Sequence, residues 1–221
     1  MAGGRGQQSF WPLFDLVVRT PRLELRLPRE EEFANLIELV DQGVHDPETM
    51  PFFVPWTDLE PAQRAREIAQ WLWGHRANWS PDKWTLTMAV FVDARPVGMQ
   101  DVAAEHFHAV RSVETGSWLG LAHHGQGLGR EMREAILHLA FAGLGAEEAL
   151  SGAFEDNVAS LATSRSVGYQ ENGEARGRRR DGSARTVRFR IGRDAWETRR
   201  RDDIEIVGIE GCLDMFVAPL S

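Results

Sequence analysis

The feature that most constrains this chain is a run of three glycines at alternate positions, Gly125, Gly127 and Gly129, before a predicted helix. Glycine carries no side chain that would keep a ligand away from the backbone amide groups. The start of a helix aims unpaired N–H groups and the positive end of its dipole at the same point. Residues 124–130 therefore predict a cradle for a diphosphate group.

Two familiar nucleotide loops fit this stretch poorly. A Walker loop needs a lysine followed by Ser or Thr before the helix, and this chain has Arg130 there. The dinucleotide fingerprint places its last glycine where this chain has Arg130 or Met132. Glu147 and Glu148 do lie about 20 residues downstream, where a ribose-binding acid is expected. An NAD-dependent oxidoreductase is thus a disfavoured alternative, because residues 1–120 hold more than that fold needs.

Composition limits the partners and the compartment. The chain has 221 residues, enough for one sizeable core, and one domain is the natural count. A net charge of −8 argues against nucleic acid as a partner, because phosphate contacts need a basic face. Cys212 is the only cysteine, which favours a reducing compartment. No apolar run approaches the length of a membrane span, so we expect a cytoplasmic protein that does not contact a membrane.

Hydrophobic periodicity predicts an α/β (α+β) domain with the order β-α-α-β-β-β-α-β-α-β-β. The predicted strands cover residues 16–18 and 23–27 (one broken strand), 84–92, 96–105, 110–119, 149–154, 169–175 and 185–191. The predicted helices cover residues 30–42, 61–79, the segment after the glycine loop, and 158–167. We expect a flexible N-terminus at residues 1–15, a domain at residues 16–192, and an extension packed on it at residues 193–221.

Four segments in the same order are similar to one known family. His124-x-x-Gly127-x-Gly129 resembles the acetyl-CoA loop of the GNAT acyltransferases, whose pattern is Gln/Arg-x-x-Gly-x-Gly/Ala. Residues 20–26, 114–119 and 157–169 resemble the ribosomal-protein N-acetyltransferase (RimJ/RimL-like) branch. The resemblance covers about residues 16–200 and departs from the pattern at His124. It implies the GNAT fold, a mixed, mostly antiparallel central sheet flanked by helices.

The resemblance also implies the donor and its site. In such folds the strand before the loop separates from its neighbour, and the pantetheine arm of an acyl-CoA fills the gap. Acetyl-CoA is the expected co-substrate, with succinyl-CoA as the alternative, and no metal is expected. Asn157 is predicted both to cap its helix and to bond a pantetheine amide. The predicted donor-binding residues are Trp118, Leu119, His124, Gly125, Gln126, Gly127, Leu128, Gly129, Arg130, Asn157 and Ser160.

Acyl transfer to an amine requires that the reactants meet, that the amine loses a proton and that the thiolate gains one. Glu114, on the strand before the loop, is the predicted general base, acting through a water. Asp101 and Glu105 on the preceding strand are the alternatives. Ser160 is the predicted proton donor to the thiolate. Tyr169 is the rival donor, although a packed aromatic at the start of a strand is the favoured interpretation.

Histidines and arginines outside the loop suggest further possibilities. His106 and His108 are predicted to share a strand face, which is compatible with a metal, but a catalytic zinc site usually needs a third ligand. Both are alternatively predicted to line the acceptor pocket. The arginines near the last hairpin turn are predicted to form a solvated, mobile loop or to bind a carboxylate, such as that of a succinyl group. They are Arg176, Arg178, Arg179, Arg180 and Arg185.

These observations predict an N-acyltransferase that moves an acetyl group to a primary amine by direct attack in a ternary complex. The acceptor is a protein N-terminus or a small molecule. A succinyltransferase and a non-catalytic CoA-binding sensor are the alternatives. Trp71 and Trp73 cannot share one helix face, so a homodimer contact is also considered.

Overall fold

The computed structural model describes residues 10–217, which form nine strands and six helices. The strands are β1 (Val17–Arg19), β2 (Glu24–Arg26), β3 (Lys83–Val92), β4 (Arg95–Glu105), β5 (Ser112–Leu119), β6 (Glu148–Phe154), β7 (Gln170–Arg179), β8 (Gly182–Gly192) and β9 (Glu205–Val207). The helices are α1 (Phe33–Asp41), α2 (Pro61–Ala77), α3 (Phe107–Val110), α4 (Leu128–His138), α5 (Val158–Ser166) and α6 (Arg193–Glu197).

The nine strands form one sheet in the order β7-β8-β6-β5-β4-β3-β2-β1-β9. Neighbouring strands run antiparallel except β5 and β6, which are parallel. A parallel pair needs a long crossover, and here the crossover contains the glycine loop and α4. The mixed, mostly antiparallel sheet and the element order confirm the predicted fold class.

Helices cover the sheet on both faces. On the first face, Met132 and Ile136 of α4 share one core with Val102 and Val113 of the sheet, and we call this the α4 face. On the second face, α1 and α2 pack on β3 and β4, and we call this the α1 face. Because side chains alternate along a strand, neighbouring residues of β5 point to opposite faces. Residues 113, 115, 117 and 119 therefore face α4, and residues 114, 116 and 118 face α1.

The prediction that the third strand of the central meander begins at Val110 is wrong. His106 and Arg111 both adopt left-handed backbone conformations, with φ of 54° and 49°. The chain turns out of β4 at His106 and into β5 at Arg111. Between these two residues, Phe107–Val110 forms the short helix α3. Phe107 is fully buried, which holds this turn against the core.

The last hairpin is longer than predicted. β7 and β8 pair from Gln170↔Arg190 to Arg179↔Gly182, so the strands run right up to the turn. Four of the five clustered arginines therefore lie on strands, and Arg180 occupies the turn. The prediction that this cluster lies in a loop is wrong for those four arginines, because the pairing of β7 with β8 continues through them.

Both ends of the described chain pack on the domain. Leu13 is fully buried, so ordered packing begins before residue 16, whereas residues 1–9 lie outside the described residues. In the C-terminal extension, β9 adds an edge strand to β1, and Trp84 donates a hydrogen bond to the Phe216 carbonyl at 3.1 Å. Residues 218–221 also lie outside. Within residues 10–217, no helix combines the length and the apolar character needed to cross a membrane.

Candidate active site

β5 and β6 are hydrogen-bonded to each other at their N-terminal ends and then separate. Their parallel register runs from Ser112↔Glu148 to Glu114↔Leu150 and stops there. Beyond this point β5 continues to Leu119 paired only with β4, and β6 continues to Phe154 paired only with β8. Beyond Glu114 and Leu150 the two facing edges are therefore not paired with each other through their backbones. Side chains contact two carbonyls of β5, Ser151 that of Thr115 and His124 that of Leu119. We call this opening the split and its closed end, at Glu114 and Leu150, the apex.

The glycine loop lies at the open end of the split, directly after β5. Gly125 and Gly127 have φ of 70° and 77°, a conformation that side chains disfavour. Gly127 is also the N-cap of α4, whose first amide groups have no partner within the helix. Free amides therefore converge near the end of β5, and the binding of a diphosphate there stays a prediction.

The side chains of the loop mainly bind the protein itself. The His124 ring lies 3.0 Å from the Leu119 carbonyl oxygen through Nε2. Gln126 donates to the Ala122 carbonyl at 2.7 Å. Arg130 donates to Glu134 at 2.8 Å, one helical turn along α4. These contacts fix the shape of the loop, and the groups that remain for a ligand are chiefly backbone amides.

Arg22 adds a cation to the loop that the sequence analysis did not place there. Its guanidinium donates to the Gln126 carbonyl at 3.0 Å and to Glu131 at 2.6 Å. Thr20 also donates to Glu131, at 2.6 Å. Burial raises the pKa of Glu131, but the hydrogen bonds from Thr20 and Arg22 outweigh it and hold that pKa below its usual value. A Cβ added to Gly127 would lie only 3.5 Å from the Arg22 guanidinium.

On the α4 face, Arg133 spans the split. Its side chain is 3% exposed and donates to Ser117 Oγ on β5 at 2.9 Å and to Ser151 Oγ on β6 at 3.1 Å. Its Nε is buried and has no hydrogen-bond partner among residues 10–217. The sequence signal was an arginine at a helix position flanked by apolar core residues, and it was missed.

Tyr169 lies at the apex, on the same face. It is 3% exposed, and its hydroxyl lies 2.9 Å from Thr115 Oγ1. Burial raises the pKa of this phenol. The Arg133 guanidinium lies 6.0 Å from the centre of the ring. The environment is that of a packed aromatic with a satisfied hydroxyl, and the role of proton donor stays a prediction.

On the α1 face, Asp101 lies beside the split. It pairs with Gly116 in the β4–β5 register, and the missing side chain of Gly116 leaves the carboxylate uncovered on that side. A Cβ on Gly116 would lie 3.8 Å from Asp101 Oδ2. Asp101 Oδ1 is buried without a partner among the described residues, and burial raises the pKa of this carboxyl to about 8. Glu114, opposite Ala103 in the same register, is exposed on this face.

A proline-rich segment roofs the split on the α1 face. We call residues 44–58 the aromatic loop. Trp56 contacts Trp118 of β5, with ring centres 5.9 Å apart, and Phe53 contacts Phe154 of β6, at 4.9 Å. The aromatic loop therefore crosses the open end of the split from one strand to the other. It would separate a ligand on this face from bulk water.

Asn157 and Ser160 stand at the β6 side of the split. Asn157 Oδ1 accepts a hydrogen bond from the Ser160 amide at 3.2 Å, so Asn157 caps α5 as predicted. α5 packs against α4, which brings these residues toward the glycine loop. The structure thus gathers the residues after β5 and after β6 around one opening, and their roles toward a ligand remain predictions.

The histidines after β4 do not share a strand face, and that expectation is wrong. β4 ends at Glu105, and the His106 ring lies 2.8 Å from Asp82, whose carboxylate raises the pKa of His106. Within residues 10–217, no three His, Cys, Asp or Glu side chains are grouped so as to hold a metal. Cys212 is fully buried, and burial raises the pKa of its thiol to about 12.

The clustered arginines already have partners. Arg179 binds Asp156 at 2.7 Å, Arg180 binds Asp58, and Arg185 binds Glu174. Arg176 donates to Ser183 at 2.6 Å, and Arg178 donates to the Arg180 carbonyl at 3.0 Å. The cluster mainly stabilises the hairpin and the aromatic loop.

Comparison with known proteins identifies the family. Residues 22–170 match the acetyltransferase (GNAT) domain. The chain belongs to the GNAT acetyltransferase family. A split strand pair, with a glycine loop and a helix start at its open end, is therefore the core of an N-acetyltransferase.

Solved structures of this GNAT fold include ribosomal acetyltransferases. RimJ of Mycobacterium smegmatis in complex with CoA-disulfide is 19% identical, with a TM-score of 0.68, covering 91% of this chain and 95% of its own. RimL, a ribosomal L7/L12 alpha-N-protein acetyltransferase in complex with CoA, is 18% identical, with a TM-score of 0.65, covering 81% of this chain and 99% of its own. The microcin C7 self-immunity acetyltransferase MccE, with acetyl-CoA and AMP, is 16% identical, with a TM-score of 0.60, covering 78% of this chain and 93% of its own. At these identities the likeness shows the fold.

Proposed function

We propose that this enzyme transfers the acetyl group of acetyl-CoA to a primary amine, with the donor along the split and the acceptor on the α1 face. The observation that carries the proposal is the parting of β5 and β6 beyond Glu114, with the glycine loop at the open end. CoA or acetyl-CoA bound to RimJ, RimL and MccE supports the choice of donor. The acceptor is a protein N-terminus or a small amine.

The donor uses backbone groups in two places. Amides of residues 125–130 bind the diphosphate, assisted by the Arg22 cation. The pantetheine arm then lies along the free edge of β5 from Leu119 toward Thr115, where it takes the hydrogen bonds that β6 does not make. The side-chain amide of Asn157 reaches the arm from the β6 side while its oxygen caps α5.

The acceptor amine meets two carboxylates on the α1 face, a buried one, Asp101, and an exposed one, Glu114. We assign the general base to Asp101 in place of Glu114, because a base works best when its pKa is near the working pH. Burial raises the pKa of Asp101 to about 8, and its neighbour on β5 is Gly116, which has no side chain to stand between the carboxylate and the split. Glu114 is exposed and serves to attract the incoming ammonium. Ser160 and Tyr169 are the candidate proton donors to the thiolate.

The reaction then needs few steps. The ammonium loses its first proton to solvent, and the neutral amine then attacks the thioester carbonyl carbon and gives a second proton to Asp101. The C–S bond breaks with its electron pair on sulfur, which afterwards takes up one proton. Trp118 and the aromatic loop exclude water from this face, which limits hydrolysis of the thioester. No covalent enzyme intermediate is required.

The first test is thermal unfolding with CoA, acetyl-CoA, succinyl-CoA and NAD. A ligand at about 100 times its dissociation constant adds about 2.7 kcal/mol to the free energy of unfolding. We expect stabilisation by the CoA compounds and none by NAD. Thiol release from acetyl-CoA over a panel of amines then identifies the acceptor. No stabilisation by any CoA compound would refute the donor site, and tight binding without turnover on any amine would favour the sensor.

A comparison of two variants tests the base. Asp101→Asn should lower kcat/KM and remove the rise in rate between about pH 7 and 9, because its pKa of about 8 controls that rise. Glu114→Gln should raise the acceptor KM and keep the pH profile. The reverse pattern would return the role of base to Glu114.

A further inference from the structure

Arg133 is an isolated positive charge in the interior of the protein. The guanidinium is 3% exposed, remains charged in proteins, and makes no ion pair among residues 10–217. The hydroxyls of Ser117, Ser151 and Tyr169 are weak compensation for a buried cation, because burial removes the hydration of the charge and a hydroxyl carries no negative charge. Replacement by an apolar side chain would remove this cost. The arrangement is therefore understandable if an anion occupies the split during the working cycle.

The place of Arg133 along the split indicates which anion. The guanidinium bridges Ser117, midway along the unpaired part of β5, and Ser151, one residue past the apex on β6. Leu119 and Thr115 are separated by about 13 Å along β5, at 3.3 Å per residue. An extended arm that starts at the loop and follows β5 thus brings its far end beside Arg133. In an acyl-CoA, that end is the sulfur.

We propose that Arg133 binds the sulfur of the donor as it leaves, so that CoA is held in the split as its thiolate. This inference rests on the proposed function. When the amine nitrogen attacks, its proton passes to Asp101 and the C–S electron pair stays on sulfur, where the guanidinium balances the new charge. A fixed cation in a dry site stabilises such charge strongly, because no solvent has to reorganise. The thiolate then takes its proton after release, in place of a transfer from Ser160 or Tyr169 inside the split.

The surroundings of Arg133 suit direct contact between its guanidinium and the sulfur. Both serine hydroxyls accept from Arg133, and Ser151 donates onward to the Thr115 carbonyl at 3.4 Å. The buried Nε of Arg133 has no partner among residues 10–217. The Tyr169 hydroxyl interacts with both Thr115 and Arg133 and carries no charge. Among the described side chains beside the apex on the α4 face, Arg133 is thus the group that carries charge.

The proposal is tested by the proton balance of binding. An ordinary thiol has a pKa of about 8.5 and is mostly protonated at neutral pH. Titration calorimetry at neutral pH in two buffers of different ionisation enthalpy measures protons released per ligand bound. Wild-type enzyme should release about one proton with CoA and none with S-methyl-CoA, which has no ionisable sulfur. Arg133→Met should bind both compounds and release none.

Two further variants separate charge from structure. Arg133→Lys keeps the charge and should retain part of the proton release. Arg165→Gln removes a surface arginine that binds Glu171 at 2.6 Å and should behave as wild type. In turnover, Arg133→Met should lower kcat about 100-fold with little change in the acetyl-CoA KM. A merely structural clamp would alter the unfolding temperature and leave the proton balance untouched.

The outcomes are distinct. Binding of CoA by wild-type enzyme with no more proton release than S-methyl-CoA would overturn the thiolate role alone. Equal proton release by Arg133→Met and wild type would also overturn it. Failure of both CoA and S-methyl-CoA to bind would refute the proposed function together with this inference. The wild-type titration decides the matter even if a variant does not fold.

Discussion

Arg180, in the turn between β7 and β8, and Asp58, at the end of the aromatic loop, form a two-pronged ion pair with N–O distances of 2.6 and 2.8 Å. The pair lowers the pKa of Asp58 through the Arg180 hydrogen bonds. With Phe53 on Phe154 and Trp56 on Trp118, it ties the aromatic loop to both sides of the split. The hairpin that was expected to be mobile therefore anchors the roof of the candidate site.

Arg180→Ala should loosen that roof. We expect the acceptor KM to rise several-fold and the acetyl-CoA KM to change little, because the aromatic loop covers the α1 face. The unfolding temperature should stay nearly unchanged, since both partners are exposed. Arg176→Ala, which removes a bond to Ser183 within the same hairpin, is the matched control. An acceptor KM equal to that of the control would show that the ion pair does not position the aromatic loop.

Asp101→Asn should change how stability depends on pH. The folded pKa of about 8 lies above the unfolded value of about 3.9, so the folded state keeps a proton that the unfolded state loses. Wild-type stability therefore falls as pH rises through that window and stops falling above about pH 8. The variant lacks this loss, so its unfolding temperature relative to wild type should increase between pH 5 and pH 8. Glu105→Gln, an exposed carboxylate on the same strand, should show no such trend.

Two glycines of the loop should respond differently to alanine. Gly127 has φ of 77°, so Gly127→Ala should cost about 1–2 kcal/mol and weaken binding of CoA. A Cβ at Gly129 would lie 3.6 Å from Leu119 in ordinary contact, so Gly129→Ala should be neutral or slightly stabilising. Chemical denaturation and CoA titration measure both effects. Equal losses at the two positions would contradict the assigned loop conformation.

Asn157 is predicted to serve the helix with its oxygen and the donor with its nitrogen. Asn157→Ala removes both and should cost about 1 kcal/mol of stability. Asn157→Asp keeps an oxygen for the Ser160 amide and loses the side-chain N–H groups. Both variants should therefore weaken CoA binding, and only the alanine should destabilise α5. Wild-type affinity in Asn157→Asp would limit this residue to capping.

Arg22→Ala should lower the free energy of unfolding, because it removes a partner of the buried Glu131 carboxylate. The Glu131 carboxylate is 5% exposed and depends on Thr20 and Arg22 for its lowered pKa. Because the pKa of Glu131 is lower in the folded than in the unfolded state, this carboxylate stabilises the wild-type protein above its unfolded pKa. That stabilisation is lost as the pH falls through the folded pKa. The variant should lose that contribution and unfold at a higher pH on acidification. Arg19→Ala, which removes exposed pairs on β1, should keep the wild-type acid midpoint.

Local patterns in the sequence were enough for the fold and the loop. The alternating glycines, the apolar stripe of α4 and the Asn157 cap act through bonds to near neighbours in the chain, so spacing alone predicts them. The family pattern added the splitting of β5 from β6. His106 and Val110 were assigned wrongly because two left-handed residues interrupt a stretch whose composition is typical of a strand.

The groups now assigned to chemistry depend on contacts between distant segments. In the sequence, Arg133 is one charged residue of an amphipathic helix. Only the folded structure, in which Ser117 and Ser151 contact the guanidinium, shows that it is a buried cation in the split. Asp101 owes its raised pKa to burial beside Gly116, which no spacing reveals. Sequence by itself determined the order of the main elements and the place of the glycine loop, for which it predicts a diphosphate cradle. Tertiary structure decided which charges lie in a dry, low-dielectric site, because burial depends on which strands and helices come together.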